Sequence, residues 1–223
     1  MKLASYECDG RVCYGVVTED GVVDATVAWP DGPADLLTAL RQGPEALDRL
    51  RDIAAGATEV RPRADVRLRA PLWAPPKVIG LAGNYTEHIR EARLAEGLSD
   101  DPHADTVPRP FLMPATAVAG DGAVVPWPIY SEQIDYEIEL AVVMGAPAKC
   151  ISPDQARRCV AGYTIANDVS ARSVTFADGR GERPRDDFYD WLNGKWADGF
   201  CPTGPWLVTP DELREPGDRR LDP

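Results

Sequence analysis

Asp135-Tyr136-Glu137-Ile138-Glu139-Leu140 runs straight into Ala141-Val142-Val143-Met144-Gly145, and this stretch leaves little choice of local structure. Its apolar and β-branched residues predict a strand, and strand side chains alternate between faces. Tyr136, Ile138 and Leu140 then share one face, while Glu137 and Glu139 leave together from the other. Neighbouring carboxylates on one face repel each other, and burying them without a cation is costly. A divalent ion with oxygen ligands, Mg²⁺ or Mn²⁺, meets that requirement. An acidic face turned to water meets it too, because alternation is ordinary in strands. The strand alone leaves both readings open.

Composition narrows the partners. The chain has 223 residues, enough for one large domain, or for a large domain with a small appendage. A net charge of -12 argues against nucleic acid and anionic membranes as partners. No run approaches the roughly 18 apolar residues of a membrane span, and Met1–Glu7 passes into strand-like sequence without a signal-peptide pattern. Cys8, Cys13, Cys150, Cys159 and Cys201 form no CxxC pair, which fits reduced thiols and a cytoplasmic location better than a disulfide framework. A small anionic substrate would need a local positive centre, which a metal could supply.

Three regions follow one another. Residues 1–70 predict a small N-terminal α+β domain. Lys2–Glu7 and Val12–Thr18 form a hairpin around Asp9-Gly10, and Glu19-Asp20-Gly21 opens a further turn. Ala34–Arg41 and Pro44–Ala54 carry apolar residues at helical spacing. The proline-marked segment Pro71–Pro76 is the expected boundary to a second domain over residues 71–223, richer in strands at Val78–Leu81, Glu137–Met144 and Gly162–Ala166. The acidic stretches Asp100–Asp105 and Asp178–Asp190 are expected to be exposed loops.

Three further constellations carry chemistry. In Gly83-Asn84-Tyr85-Thr86-Glu87-His88-Ile89-Arg90-Glu91 a strand yields to a helix that sets His88 and Glu91 at i, i+3. A carboxylate beside an imidazole orients it and raises its basicity, as a general base requires; a surface His–Glu pair has the same pattern. Asp168, in Asn167-Asp168-Val169-Ser170-Ala171-Arg172, falls where a strand ends, a usual address for a ligand and also for a helix cap. Lys195 is one of four lysines and lies in a Gly/Trp-rich segment, which suits either a pocket or solvent.

Taken in order, Asn84-Tyr85-x-x-His88-x-x-Glu91, Asp135-Tyr136-Glu137-x-Glu139-Leu140, Asn167-Asp168-x-Ser170-x-Arg172 and Gly194-Lys195 with Pro202-x-Gly204-Pro205 resemble the fumarylacetoacetate hydrolase superfamily from about Trp73 to Asp211. The resemblance implies an α+β, mostly β fold: a mixed β-roll around a metal site, commonly a homodimer. It implies that Glu137, Glu139 and Asp168 bind Mg²⁺ or Mn²⁺. It implies that His88 and Glu91 activate water on a segment that closes over the site, that Lys195 lies near the substrate's reacting oxygens, and that Arg172 contacts substrate and steadies the carboxylates. The expected activity is hydrolysis of a C–C bond in a 1,3-diketo acid. A decarboxylase, isomerase or hydratase of an oxo acid, and a non-catalytic relative, are the alternatives.

Departures from the family pattern fall on expected substrate contacts. Met113 stands where many members carry lysine, and Thr175 where a glutamine is common. A substrate less anionic or bulkier than the best-known ones is expected. The chain stops after the strand holding Trp206-Leu207-Val208, before strands that other members carry, so a missing C-terminal segment is expected as well.

Overall fold

The computed structural model describes residues 1–95, 97, 107–176 and 179–213, without the side chains of His88, Glu91, Ala92 and Ala95. Strands β1 (Lys2–Cys8) and β2 (Arg11–Val17) form the expected hairpin. Its turn residues, Asp9 and Gly10, have φ of 52° and 70°, the left-handed pair that a tight two-residue hairpin turn needs. Strand β3 (Val22–Asp24) pairs with β2, and helices α1 (Ala25–Ala28), α2 (Leu36–Arg41) and α3 (Pro44–Ala55) follow. The apolar stripes of α2 and α3, Leu36, Leu40, Leu50 and Ile53, are buried with Leu3, Tyr14 and Val16 of the hairpin.

Strand β4 (Arg67–Leu68) pairs with the far end of β1. Strands β5 (Val78–Leu81) and β6 (Pro110–Met113) make a separate two-stranded sheet, with helix α4 (Thr86–Ala95) between them in sequence. Short β7 (Val118–Ala119) and β8 (Ile134–Asp135) precede β9 (Ile138–Met144), α5 (Pro153–Arg158) and β10 (Val160–Asn167). The chain then passes through β11 (Ser170–Ala171), α6 (Asp186–Asn193) and β12 (Cys201–Val208). The main sheet runs β3-β2-β1-β12-β10-β9, with β4 beside β1 and β7 beside β12.

Lys2 and Leu3 pair with Val208 and Leu207, so the sheet crosses the boundary expected near residue 70. The core crosses it too: Leu207 and Ala161 pack in one cluster with Leu3 and Leu36. A second cluster of Phe111, Met113, Ala117, Ala166 and Cys201 lies beneath the β5–β6 sheet. Gly80 permits this approach, because a Cβ there would sit 2.2 Å from the Phe111 ring.

Two local expectations change. The run read as one strand from Asp135 is divided: β8 pairs with β11 and β9 with β10, and the chain breaks at Tyr136–Glu137 between the two partners. The stretch expected to be a loop up to Asp190 becomes helical from Asp186, while Asp178 lies outside the described residues. Asp186 and Asp187 suit a helix N-terminus, and Phe188, Trp191 and Leu192 form an i, i+3, i+4 apolar stripe. The Trp191 ring meets Phe111 edge-on at 5.0 Å. No described helix is long and apolar enough to cross a membrane.

Asp24 ties the small helices to the sheet. Its carboxylate is 8% exposed, accepts from Val27 N at 3.2 Å and pairs with Arg61 Nε at 3.1 Å. Burial alone would push its pKa up, but hydrogen bonds from Thr26 and Arg61 bring it below the usual carboxylate value. A lowered folded pKa contributes stability that is present above the unfolded pKa and lost as pH falls through the folded one. Asp24→Ala is therefore expected to cost about 2 kcal/mol at neutral pH. In urea titrations the gap from the parent protein should narrow below about pH 4.

Candidate metal centre

The end of β10 is tied to the β8–β9 break by two bonds. Glu137 N donates to Asn167 Oδ1 at 3.0 Å, and Asp168 N donates to Glu137 O at 2.8 Å. Glu139 stands opposite Ala166 in the β9–β10 register, so Asp168 emerges beside both glutamates. Glu137, Glu139 and Asp168 each offer a carboxylate oxygen, all within 4.8 Å of one another.

Two cations meet this cluster. Ala171 N donates to Gly194 O at 2.8 Å, and a Cβ at Gly194 would lie only 2.4 Å from Ala171 O. Glycine there lets the end of α6 close onto β11 and turn Lys195 inward. The Lys195 side chain is 4% exposed, with Nζ 2.7 Å from Asp168 Oδ2 and 3.1 Å from Glu137 Oε2. It also lies 5.9 Å from the ring centres of Phe111 and Trp191. Arg172, just past β11, donates from Nη2 to Asp135 Oδ2 at 3.0 Å and also pairs with Glu137 Oε1. Burial would lower the Arg172 pKa, but Asp135 and Glu137 hold it above the usual value.

Among the described residues four carboxylates, Asp135, Glu137, Glu139 and Asp168, thus face two cations, which leaves two negative charges. Burial, followed by the charges of Asp168 and Glu137, pushes the Glu139 pKa up, and a hydrogen bond from Tyr85 offsets part of this. Burial also raises Asp168 despite its bond to Lys195. Among the described residues Asp168 Oδ1 is buried with no hydrogen-bond partner, an expensive arrangement that calls for a positive ligand. The residues fit a hard dication: the donors are oxygen, and the unbalanced charge is two. The nearby Cys201 is buried and its thiol is pushed up to about 12 by burial and by Asp168 and Glu139, so it offers no soft thiolate.

The cluster opens into a cleft of about 1120 Å³. Ile79, Leu81, Leu112, Phe188 and Trp191 contribute an apolar wall, and Tyr85 also lines it. The structure therefore gathers Glu137, Glu139, Asp168, Lys195 and Arg172 in one place. His88 and Glu91 lie on α4, but their side chains fall outside those described. Met113 alternates inward with Phe111 on β6, is 6% exposed and does not line the cleft. Thr175 is exposed, donates its N–H to Tyr130 O at 2.7 Å, and does not line the cleft either. The sequence reading gave no role to Asp135 or Tyr85, although both stand in quoted motifs; an acidic residue two before Glu137 was the available signal for the first.

A family model described as fumarylacetoacetate (FAA) hydrolase C-terminal matches residues 77–222. Oxaloacetate tautomerase FAHD2A, mitochondrial, from Bos taurus is 35% identical over 201 residues, which cover 90% of this chain and 59% of the relative. The chain thus spans less than two thirds of that relative's length. Among solved structures, a probable 2-hydroxyhepta-2,4-diene-1,7-dioate isomerase from Mycobacterium abscessus is 29% identical, with a TM-score of 0.66 over 94% of this chain and 64% of that one. Maleylpyruvate hydrolase from Sphingobium sp. SYK-6, solved with manganese(II) and pyruvate, shares the fold at a TM-score of 0.69 and 23% identity, over 97% of this chain and 70% of that one.

Proposed function

The chain belongs to the fumarylacetoacetate hydrolase family, and on that footing we propose that it supplies the metal site of a Mg²⁺- or Mn²⁺-dependent hydrolase that cleaves a C–C bond in a 1,3-diketo acid. The observation that carries this reading is the buried Asp168 Oδ1, unpartnered among the described residues, in a set of four carboxylates that exceeds its two cations by two charges. Glu137, Glu139 and Asp168 would hold the ion. When bound, it supplies Lewis acidity for the negative charge that develops on a keto oxygen as the neighbouring bond breaks.

The chain's own groups do the rest. Lys195 has three N–H donors and spends two of them on Glu137 and Asp168, leaving one for an oxygen in the cleft. Arg172 bridges Glu137 and Asp135 and lines the same cleft, where it would meet a substrate carboxylate. His88 and Glu91, on α4, would take a proton from the attacking water. The apolar wall would exclude bulk water and accept an apolar substituent. A homodimer is the assembly that the family resemblance implies, and the five free cysteines support a reducing compartment, cytosolic in this reading.

A second reading is tautomerisation or decarboxylation of an oxo acid, favoured by the oxaloacetate tautomerases at 35% identity. Turnover of acylpyruvates, oxaloacetate and unsaturated oxo-dioates with Mn²⁺, repeated with EDTA and with His88→Ala, separates the two. Hydrolysis predicts acylpyruvate cleavage abolished by either treatment. EDTA-sensitive turnover that survives His88→Ala would replace it with the second reading, and turnover indifferent to EDTA would overturn both.

A further inference from the structure

Strand β9 ends the main sheet, and its outer edge has no strand partner among the described residues. One N–H on this strand, that of Leu140, is taken by a side chain: it donates to the Tyr85 hydroxyl at 2.9 Å, from a residue 55 positions away. The carboxylate of Glu139, the preceding residue on the strand, lines the same cleft as Tyr85, and the two groups feel each other electrostatically. A phenol that accepts from Leu140 keeps its one hydrogen to give, and the carboxylate of the adjacent Glu139 is an acceptor for it. The backbone of Tyr85 has a second task, since its carbonyl accepts from Ile89 N at 2.9 Å and so begins the hydrogen-bonding of α4.

We infer that Tyr85 is a positioning residue, whose hydroxyl holds Glu139 in its ligating orientation and pins the start of α4 to the metal-binding strand. This rests on the metal-site reading above. A glutamate side chain is long and rotatable, and Lys195 and Arg172 hold Glu137 and Asp168 rather than Glu139. Among the described residues Tyr85 is therefore the side chain placed to restrain the third carboxylate. Outer hydrogen bonds of this kind typically change metal affinity 10- to 100-fold. The second consequence is geometric. His88 and Glu91 follow Tyr85 by three and six residues, so the bond that orients one ligand also sets where their helix begins relative to the ion.

The test is Mn²⁺ binding by calorimetry to this chain, alongside Tyr85→Phe and the control Tyr136→Phe, which removes an exposed hydroxyl outside the cleft. Tyr85→Phe keeps the ring and exposes only a peptide N–H at an open edge, so the metal-free melting temperature should move by no more than about 2 °C. Its Mn²⁺ affinity should fall about 10-fold or more, with faster amide hydrogen exchange across α4, while Tyr136→Phe matches the parent. A parent protein that binds Mn²⁺, with Tyr85→Phe binding equally well or exchanging α4 at the parent rate, overturns the inference alone. A parent protein that binds no Mn²⁺ overturns the metal-site reading, and this inference with it.

Discussion

Glu139→Gln should bind Mn²⁺ about 100-fold more weakly or worse, a loss of about 3 kcal/mol, with oxo-acid turnover falling to background. Of the three clustered carboxylates, Glu139 has no cation in hydrogen-bond contact among the described residues: Lys195 lies on Glu137 and Asp168, and Arg172 on Glu137. Burial is the largest influence raising the Glu139 pKa, the charges of Asp168 and Glu137 add to it, and Tyr85 and the more distant Lys195 offset only part. A group whose folded pKa exceeds its unfolded value contributes stability below the unfolded pKa and loses it as pH rises through the folded one. At neutral pH the ionised Glu139 therefore burdens the metal-free fold. The amide lifts that burden while keeping the shape, so the metal-free melting temperature of Glu139→Gln should equal or exceed that of the parent. Loss of metal binding without loss of stability is the signature to seek in paired calorimetric titrations and thermal melts. A substantially lowered metal-free melting temperature would mean that Glu139 serves the fold instead.

Lys195→Met should behave in the opposite way. Its ammonium is buried, and it balances two carboxylates that are themselves 25% and 13% exposed. Removing one member of such a buried set leaves the rest uncompensated, typically at about 3–5 kcal/mol. The metal-free melting temperature should fall by roughly 10 °C for a chain of this size. Mn²⁺ should restore part of the loss, because a dication can take over the charge balance. Turnover should fall by about 100-fold or more even with saturating metal, since the remaining ammonium donor in the cleft is gone. A melt unchanged from that of the parent would show that Lys195 does not neutralise the site.

These opposed effects come from features of unequal visibility in the sequence. The hairpin was legible because Asp9-Gly10 supplies two left-handed residues between apolar runs, a purely local demand. Glu137 and Glu139 were expected together from alternation along one strand, whereas the structure brings Glu137 in from the break before β9 through its bonds to Asn167 and Asp168. The break at Tyr136–Glu137 was hidden, because it arises where the chain changes partner from β11 to β10. Helix α6 was masked by its charges, although Phe188, Trp191 and Leu192 carried the helical period. The inward turn of Met113 follows from alternation with Phe111 on β6, but only once the buried face of that short strand is known. The bond from Tyr85 to Leu140 and the joining of β1 to β12 were beyond local reasoning, since each links distant parts of the chain.

The claim on which the account rests is that Glu137, Glu139 and Asp168 form one dication site, and electron paramagnetic resonance of Mn²⁺ titrated into this chain tests it most directly. One ion immobilised per chain, lost in Glu139→Gln and displaced by Mg²⁺, is the expected result. No immobilised ion, or one that persists unchanged in Glu139→Gln, would contradict it.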